Sequence, residues 1–324
     1  MSLSIALAAH GGAEVLLPRN ADVPLPGAGE VRLCQGAIGV NFVDIYHRQG
    51  LYPVPGLPAV PGVEGAGVIE AIGPDVVGLR VGQRVAYAGL PIGGYAEVRN
   101  IPAERLIPLP ASIATATAAA AMLRGITVHM LLHRVFPVGP GVTLLVQAAA
   151  GGIGLVLTQW AKCLGARVIG TVGSEDKARI AMEHGLDHAI LYKEQDFVAE
   201  VRRLTGGKGA DVAYDGIGGE TLLKTLDAVG LFGTVVSIGQ AGGSLPDIKV
   251  ADLGPRRSLA LARPSVLAYA HDPASYREAA ADLFDMIEDG LRITVGAEYP
   301  LTDAAEAHRA LESGRTTGSI LLRT

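Results

Sequence analysis

Hydrophobic and polar positions follow two different rhythms along this chain. In its first third, short alternating runs such as Glu30-Val-Arg-Leu-Cys34, Gly67-Val-Ile-Glu70 and Gln83-Arg-Val-Ala-Tyr87 are bounded by turn residues. A period of two between Gly- and Pro-rich turns predicts strands with one buried face, so this stretch reads as an all-β unit. From about Arg124 the rhythm changes. Val142–Gln147 is a β-type run that leads through Ala149-Ala-Gly-Gly-Ile-Gly154 into an apolar helix reaching Leu164. Arg167–Thr171, Ala189–Tyr192, Asp211–Tyr214 and Thr234–Ile238 read as further strands. Between them, Glu175–His184 puts Ala178, Ala181 and Met182 on one helical face, and Asp196–Leu204 does the same with Phe197, Val201 and Leu204. Another helix falls near Glu220–Ala228. Strands alternating with helices need right-handed parallel crossovers, which predicts an α/β doubly wound sheet over residues 125–262.

Beyond that sheet the pattern turns again. Asp272-Pro273 has the chemistry of a helix start, Tyr276, Ala280, Leu283 and Ile287 form a core stripe, and Gly290 supplies the stop. A second helix runs from Asp303 to Ser313, closed by Gly314, and a last strand covers Gly318–Leu322. The expected arrangement is a β-rich domain of residues 1–124 completed by 263–324, with the doubly wound domain 125–262 inserted. Val135–Ala161 contains no charged residue and imitates a membrane span, but Pro137, Pro140 and Gly151-Gly152 interrupt it. No membrane association is expected.

Composition narrows the function. At 49% hydrophobic and 18% charged, the 324 residues are too apolar for a disordered chain. A net charge of −5 gives no electrostatic reason to bind nucleic acid. Two cysteines, Cys34 and Cys163, cannot build a disulfide framework or a four-thiolate zinc site. The apolar start Met1–His10 lacks the basic residues of a signal peptide, so a reduced, cytoplasmic setting is expected.

The strongest local signal is Ala149-Ala150-Gly151-Gly152-Ile153-Gly154 between strand and helix. A dinucleotide pyrophosphate sits against backbone N–H groups at a helix N-terminus, where a Cβ would obstruct it. Ala149 replaces the first glycine of the usual pattern. The next strand ends Ile169-Gly-Thr-Val-Gly173 and is followed by Ser174 and Lys177. An NAD site places a carboxylate at that tip for the ribose hydroxyl. An uncharged tip with a hydroxyl and an ammonium nearby suits a 2′-phosphate instead, so NADPH is the expected coenzyme. Glu175 and Asp176 fit better as first-turn residues facing the helix dipole.

Gly141, Leu145, Ala149-Ala150-Gly151-Gly152-x-Gly154, Gln159 and Lys162 resemble the signature of the zinc-free quinone oxidoreductases. These are zeta-crystallin relatives within the medium-chain dehydrogenase/reductases, and the chain resembles the bacterial quinone reductase group in particular. Val142 departs from that signature, which has a charged or polar residue there. The resemblance extends through Gly36–Pro53, Pro61-Gly-Val-Glu64-Gly-Ala-Gly67, Gly170–Gly173, Tyr214-Asp215 and Arg263-Pro-Ser265. It implies a GroES-like β-rich domain plus a Rossmann domain, which agrees with the reading from periodicity. Zinc-dependent members carry a His before a Glu where this chain has Val63-Glu64, so no metal site is expected.

The resemblance implies a coenzyme site of Asn41, Tyr46, Thr127, Gly151, Gly152, Ile153, Gly173, Ser174, Lys177, Tyr192, Gly216, Ile238, Gly239, Gln240, Arg263 and Arg315. Arg315 lies one place away from the arginine of some members. Asn41, Tyr46 and Tyr52 are the expected catalytic residues: an amide for a carboxamide or acceptor oxygen, a hydroxyl near the nicotinamide, and an aromatic wall with a polar tip. Asp44 and Arg48 are expected to hold their loop through an ion pair or caps. The expected reaction is metal-free, NADPH-dependent reduction of a quinone or other electron-poor acceptor, governed by binding and orientation. Two alternatives stand beside it: reduction of the C=C bond of an enone or alkenal, and a non-catalytic NADPH-binding redox sensor or crystallin-like protein. Ser258–Ala262 is a β-type run at the expected sheet edge, a place where a second copy would pair to give a homodimer.

Overall fold

A computed structural model describes residues 1–324. The chain divides into two compact units, Met1–Ile126 with Val266–Thr324, and Thr127–Ser265.

In the first unit the alternating runs become a seven-stranded sheet. Its order is Val295–Pro300, Ser319–Arg323, Glu30–Val40, Glu64–Ile72, Arg84–Ala88 and Ile107–Pro108, with Val98–Pro102 also on Glu30–Val40. Pairing is antiparallel except between Val295–Pro300 and Ser319–Arg323. Alternation along Glu30–Val40 sends Val31 and Leu33 into a core with Ile69, Val85, Tyr87, Ile101 and Leu106. Ile38 and Val40 face a second core with Ile5, Leu7, Tyr95, Leu301, Ile320 and Leu322. That second core joins the two ends of the sequence, so the last segment completes the first domain by burial as well as by strand pairing.

The second unit is a six-stranded parallel sheet. Its spatial order is His188–Leu191, Arg167–Val172, Thr143–Val146, Ala210–Asp215, Val229–Ser237, Ala260–Ala262. This is the dinucleotide-binding order, with the strand sequence reversing direction beside Thr143–Val146. Helices Gly152–Cys163, Glu175–Glu183, Phe197–Leu204 and Gly219–Ala228 make the crossovers. Ser174 and Asp196 start two of them by accepting backbone N–H groups of the first turn, as short polar side chains do at helix N-termini.

The uncharged stretch Val135–Ala161 is broken into strand, turn and helix as its Gly and Pro residues require. The segment long and apolar enough to cross a membrane is instead the helical run Thr115–Val135, and 83% of its most apolar window is buried within the protein. Sequence periodicity did not single out this helix, because its alanines give little contrast between faces.

Candidate functional site

Strand Thr143–Val146 leads into a turn in which Ala148 adopts a left-handed backbone, φ 54°. Gly151 is the N-cap of helix Gly152–Cys163, with extended backbone, no side-chain cap and no acidic residue in the first turn. Helix geometry leaves the N–H groups of Gly152, Ile153 and Gly154 without intrahelical acceptors. A Cβ on Gly151 would come within 3.2 Å of Ala148 O. On Gly154 it would lie 2.5 Å from Ala148 O and 2.6 Å from Ala149 O, so only glycine lets the helix approach this close. The turn is an uncovered, positively polarised helix end shaped for an anion, and a dinucleotide pyrophosphate fits it.

Beneath the turn runs a buried polar chain. Thr171 Oγ1 donates to Gln147 Oε1 at 2.5 Å, Gln147 Nε2 to Thr225 Oγ1 at 3.1 Å, and Thr225 Oγ1 to Asp215 Oδ2 at 2.8 Å. Asp215 Oδ1 accepts the N–H groups of Ile217 and Gly218, while burial pushes its carboxyl above the usual range. The chain fixes the ends of three neighbouring strands before any ligand arrives.

Around the rim, Gly173 follows strand Arg167–Val172, and a Cβ on it would lie 3.2 Å from Tyr192 Oη. Ser174 caps the next helix by accepting the Lys177 N–H at 3.4 Å, so its hydroxyl already has a structural task. Lys177 is half-buried; burial first, then the neighbouring charge of Lys193, hold its ammonium below the ordinary lysine value. At the far strands, Ile238 N–H donates to Asp215 O at 2.7 Å and Ala241 N–H to Gly216 O at 3.0 Å. Arg263 donates to Ser237 Oγ at 3.0 Å and Gln240 Oε1 at 3.4 Å. Gly216, Ile238, Gly239, Gln240 and Arg263 are thus brought together. Thr127 is buried in helix Thr115–His129. Arg315 is exposed just beyond helix Ala304–Glu312, in the other unit from Lys177.

The first unit gathers Asn41, Tyr46 and Tyr52. Asn41 is the N-cap of helix Phe42–Arg48, and its backbone N–H donates to Asp44 Oδ2 at 2.8 Å. Its amide Nδ2 donates to Glu64 Oε2 at 2.8 Å. Glu64 is fully buried, accepts the Leu123 N–H at 2.7 Å and pairs with Arg124 at 3.2 Å. Burial raises the Glu64 carboxyl, and Arg124 is the largest influence opposing it. Tyr46 is buried against Tyr52, ring centroids 5.2 Å apart, and His47 meets Tyr52 edge-on.

Behind this group, Asp44 holds the loop as a cap, as expected, while Arg48 finds its ion pair away from Asp44. Its guanidinium reaches 264 residues along the chain to Glu312, at 2.6 and 3.0 Å, and also approaches His308 Nδ1 at 3.3 Å. Tyr95 Oη lies 2.9 Å from His308 Nε2 and 3.2 Å from Asp44 Oδ2. Arginine can only donate, so Nδ1 accepts, Nε2–H donates to the Tyr95 oxygen, and the Tyr95 hydroxyl donates to Asp44. Burial pushes Asp44 up to about 7 and His308 down to about 3. Tyr95, His308 and Glu312 were not singled out by sequence. Glu64 and Arg124 carried a signal: each is a charge embedded in small or apolar neighbours, Gly62-Val-Glu64-Gly-Ala and Met122-Leu-Arg124-Gly-Ile.

No group of three or more His, Cys, Asp or Glu side chains comes together in a form that could hold a metal ion. Residues 27–111 match the family described as alcohol dehydrogenase GroES-like domain, and residues 152–285 the one described as zinc-binding dehydrogenase. A quinone oxidoreductase of Pseudomonas aeruginosa is 44% identical over 99% of both chains. The chain belongs to the quinone oxidoreductase family of the medium-chain dehydrogenase/reductases. Within this family the chain is also 42% identical to a 2-haloacrylate reductase of a Burkholderia species, over 99% of both. The structure of the Escherichia coli quinone oxidoreductase complexed with NADPH superposes with a TM-score of 0.96, at 40% identity over 99% of this chain and 100% of that one. Quinone oxidoreductases therefore share both the GroES-like and the Rossmann parts of this fold.

Proposed function

We propose that this protein is an NADPH:quinone oxidoreductase that works without a metal ion. The observation that carries the reading is the uncapped glycine turn at Gly151–Gly154, joined to a strand tip with no carboxylate and a half-buried Lys177. Relatives 40–44% identical over nearly the whole chain support it. NADPH supplies the hydride when bound. Gly152 and Ile153 hold its pyrophosphate through backbone N–H groups, and Gly151, whose own N–H donates to Ala148 O, lets it come close to the turn. Gly173, Ser174, Lys177 and Tyr192 take the adenosine phosphate, and Thr127, Gly216, Ile238, Gly239, Gln240 and Arg263 the nicotinamide half. Arg315 adds a cation from the C-terminal segment.

Asn41, Tyr46 and Tyr52 orient the acceptor. With one amide hydrogen tied to Glu64, Asn41 is held in a fixed pose, and the Tyr46–Tyr52 pair, its rings tilted by 57°, offers an aromatic wall with polar tips. Residues 1–124 with 263–324 form the catalytic domain and 125–262 the coenzyme domain. Strand Ala260–Ala262, at the edge of the parallel sheet, pairs with a second copy to give a cytoplasmic homodimer.

The test is acceptor profiling with purified protein: NADPH oxidation by several quinones, by enones and by 2-chloroacrylate, each with and without chelator. Quinones should be the fastest acceptors, with no effect of chelator. Faster reduction of the activated C=C bond would favour the 2-haloacrylate reductase type of reaction.

A further inference from the structure

The strand tip beside Gly173 holds more positive charge than one lysine provides. Strands Arg167–Val172 and His188–Leu191 run in parallel with Leu191 opposite Val172, and Tyr192 N–H donates to Val172 O at 3.2 Å. That register carries Tyr192 and Lys193 alongside Gly173 and Ser174, with Tyr192 Oη 3.2 Å from where a Gly173 Cβ would stand. Ser174 caps helix Glu175–Glu183, which places Lys177 in its first turn on the same rim. Lys193 is exposed, and its charge is felt at Lys177. Of the helix's three carboxylates, Asp176 and Glu183 pair with Arg179, and Glu175 is exposed in the first turn.

Two ammonium groups held within range of one another repel, and the repulsion is relieved when an anion of matching charge joins them. A phosphomonoester carries about −1.5 to −2 at neutral pH, close to what two lysines neutralise. We propose that Lys193 is a specificity-determining residue that binds the 2′-phosphate of NADPH together with Lys177. Lysine rather than arginine suits the task, since a point charge on a flexible stem approaches a dianion from one side without a fixed fork geometry. The proposal rests on the NADPH reading above.

The experiment uses full-length protein and two competitive inhibitors that differ by one phosphate, 2′,5′-ADP and 5′-AMP. In Lys193→Gln the inhibition constant of 2′,5′-ADP should rise about fivefold relative to that of 5′-AMP, the size expected for one exposed cation, and Lys193→Glu should raise it further. Lys193→Arg should restore most of the discrimination. The KM ratio of NADPH to NADH should move in parallel. Equal weakening of both inhibitors, or of neither, in Lys193→Glu overturns the role of Lys193. Wild-type protein that does not distinguish the two inhibitors overturns the NADPH reading itself, so the two failures are separable.

Discussion

The buried chain from Asp44 to His308 holds two groups whose proton affinities folding moves in opposite directions. Burial is the main cause in both: the Asp44 carboxyl rises from 3.8 to about 7, and His308, helped by the charge of Arg48, falls from 6.5 to about 3. Between about pH 4 and pH 6.5 the folded protein therefore keeps a proton on Asp44 that the unfolded chain releases, and lacks one on His308 that the unfolded chain binds. The Asp44 contribution to stability is complete in acid and is lost as pH rises through its folded value. The His308 contribution is complete above its unfolded value and is lost as pH falls. Each slope is about 1.4 kcal/mol per pH unit, so the two cancel across this window.

Asp44→Asn removes one slope and uncovers the other. Its unfolding free energy should gain on wild type by about 2.7 kcal/mol between pH 4.5 and 6.5, and that of His308→Gln should fall behind by a similar amount. Other titrating groups, Glu64 among them, are common to both proteins and largely drop out of the comparison. The assay is urea unfolding followed by near-UV circular dichroism of tyrosine. The single Trp160 lies in the Thr127–Ser265 unit and does not report on this network. An Asp44→Asn protein whose stability follows the wild-type pH dependence would refute the reasoning.

Three further outcomes are expected. Gly154→Ala forces a Cβ onto two backbone oxygens 2.5 and 2.6 Å away, costing about 1–3 kcal/mol and weakening NADPH at least about tenfold, measurable by thermal melting and fluorescence titration. Arg124→Met strands the buried Glu64 charge and should cost about 3–5 kcal/mol, with part recovered on adding Glu64→Gln, a cycle read by urea midpoints. Lys177→Glu should raise the KM for NADPH far more than that for NADH; equal losses in steady-state kinetics would remove the 2′-phosphate assignment.

Much of this architecture is legible from local pattern. The strand–glycine-turn–helix unit at Thr143–Cys163 needs only periodicity and one backbone constraint, and Asp272-Pro273 marks the start of helix Pro273–Glu288 by capping chemistry alone. What local pattern does not reach is pairing over distance. Arg48 has Asp44 four residues away, the partner that helical spacing favours, yet its charge is met by Glu312. Burial explains the exchange: Asp44 is enclosed where its charged form is costly, whereas Glu312 keeps access to solvent beside the guanidinium. The same holds for Tyr95 and His308, which are brought to Asp44 only because both ends of the sequence share the second core.

The placement of strand Ser319–Arg323 sets an order of events during synthesis. Every strand of the parallel sheet has been made by Ala262, so that unit can close while translation continues. The other sheet must wait, because Ile38–Val40 pairs with Ile320–Leu322 and has nothing to bond along that side until those residues emerge. At about 5–20 residues per second, making the roughly 280 residues between these partners takes about 15–55 s. For that interval an apolar strand edge stands open on the ribosome, making a chaperone's grip most useful to the half of the molecule that was translated first.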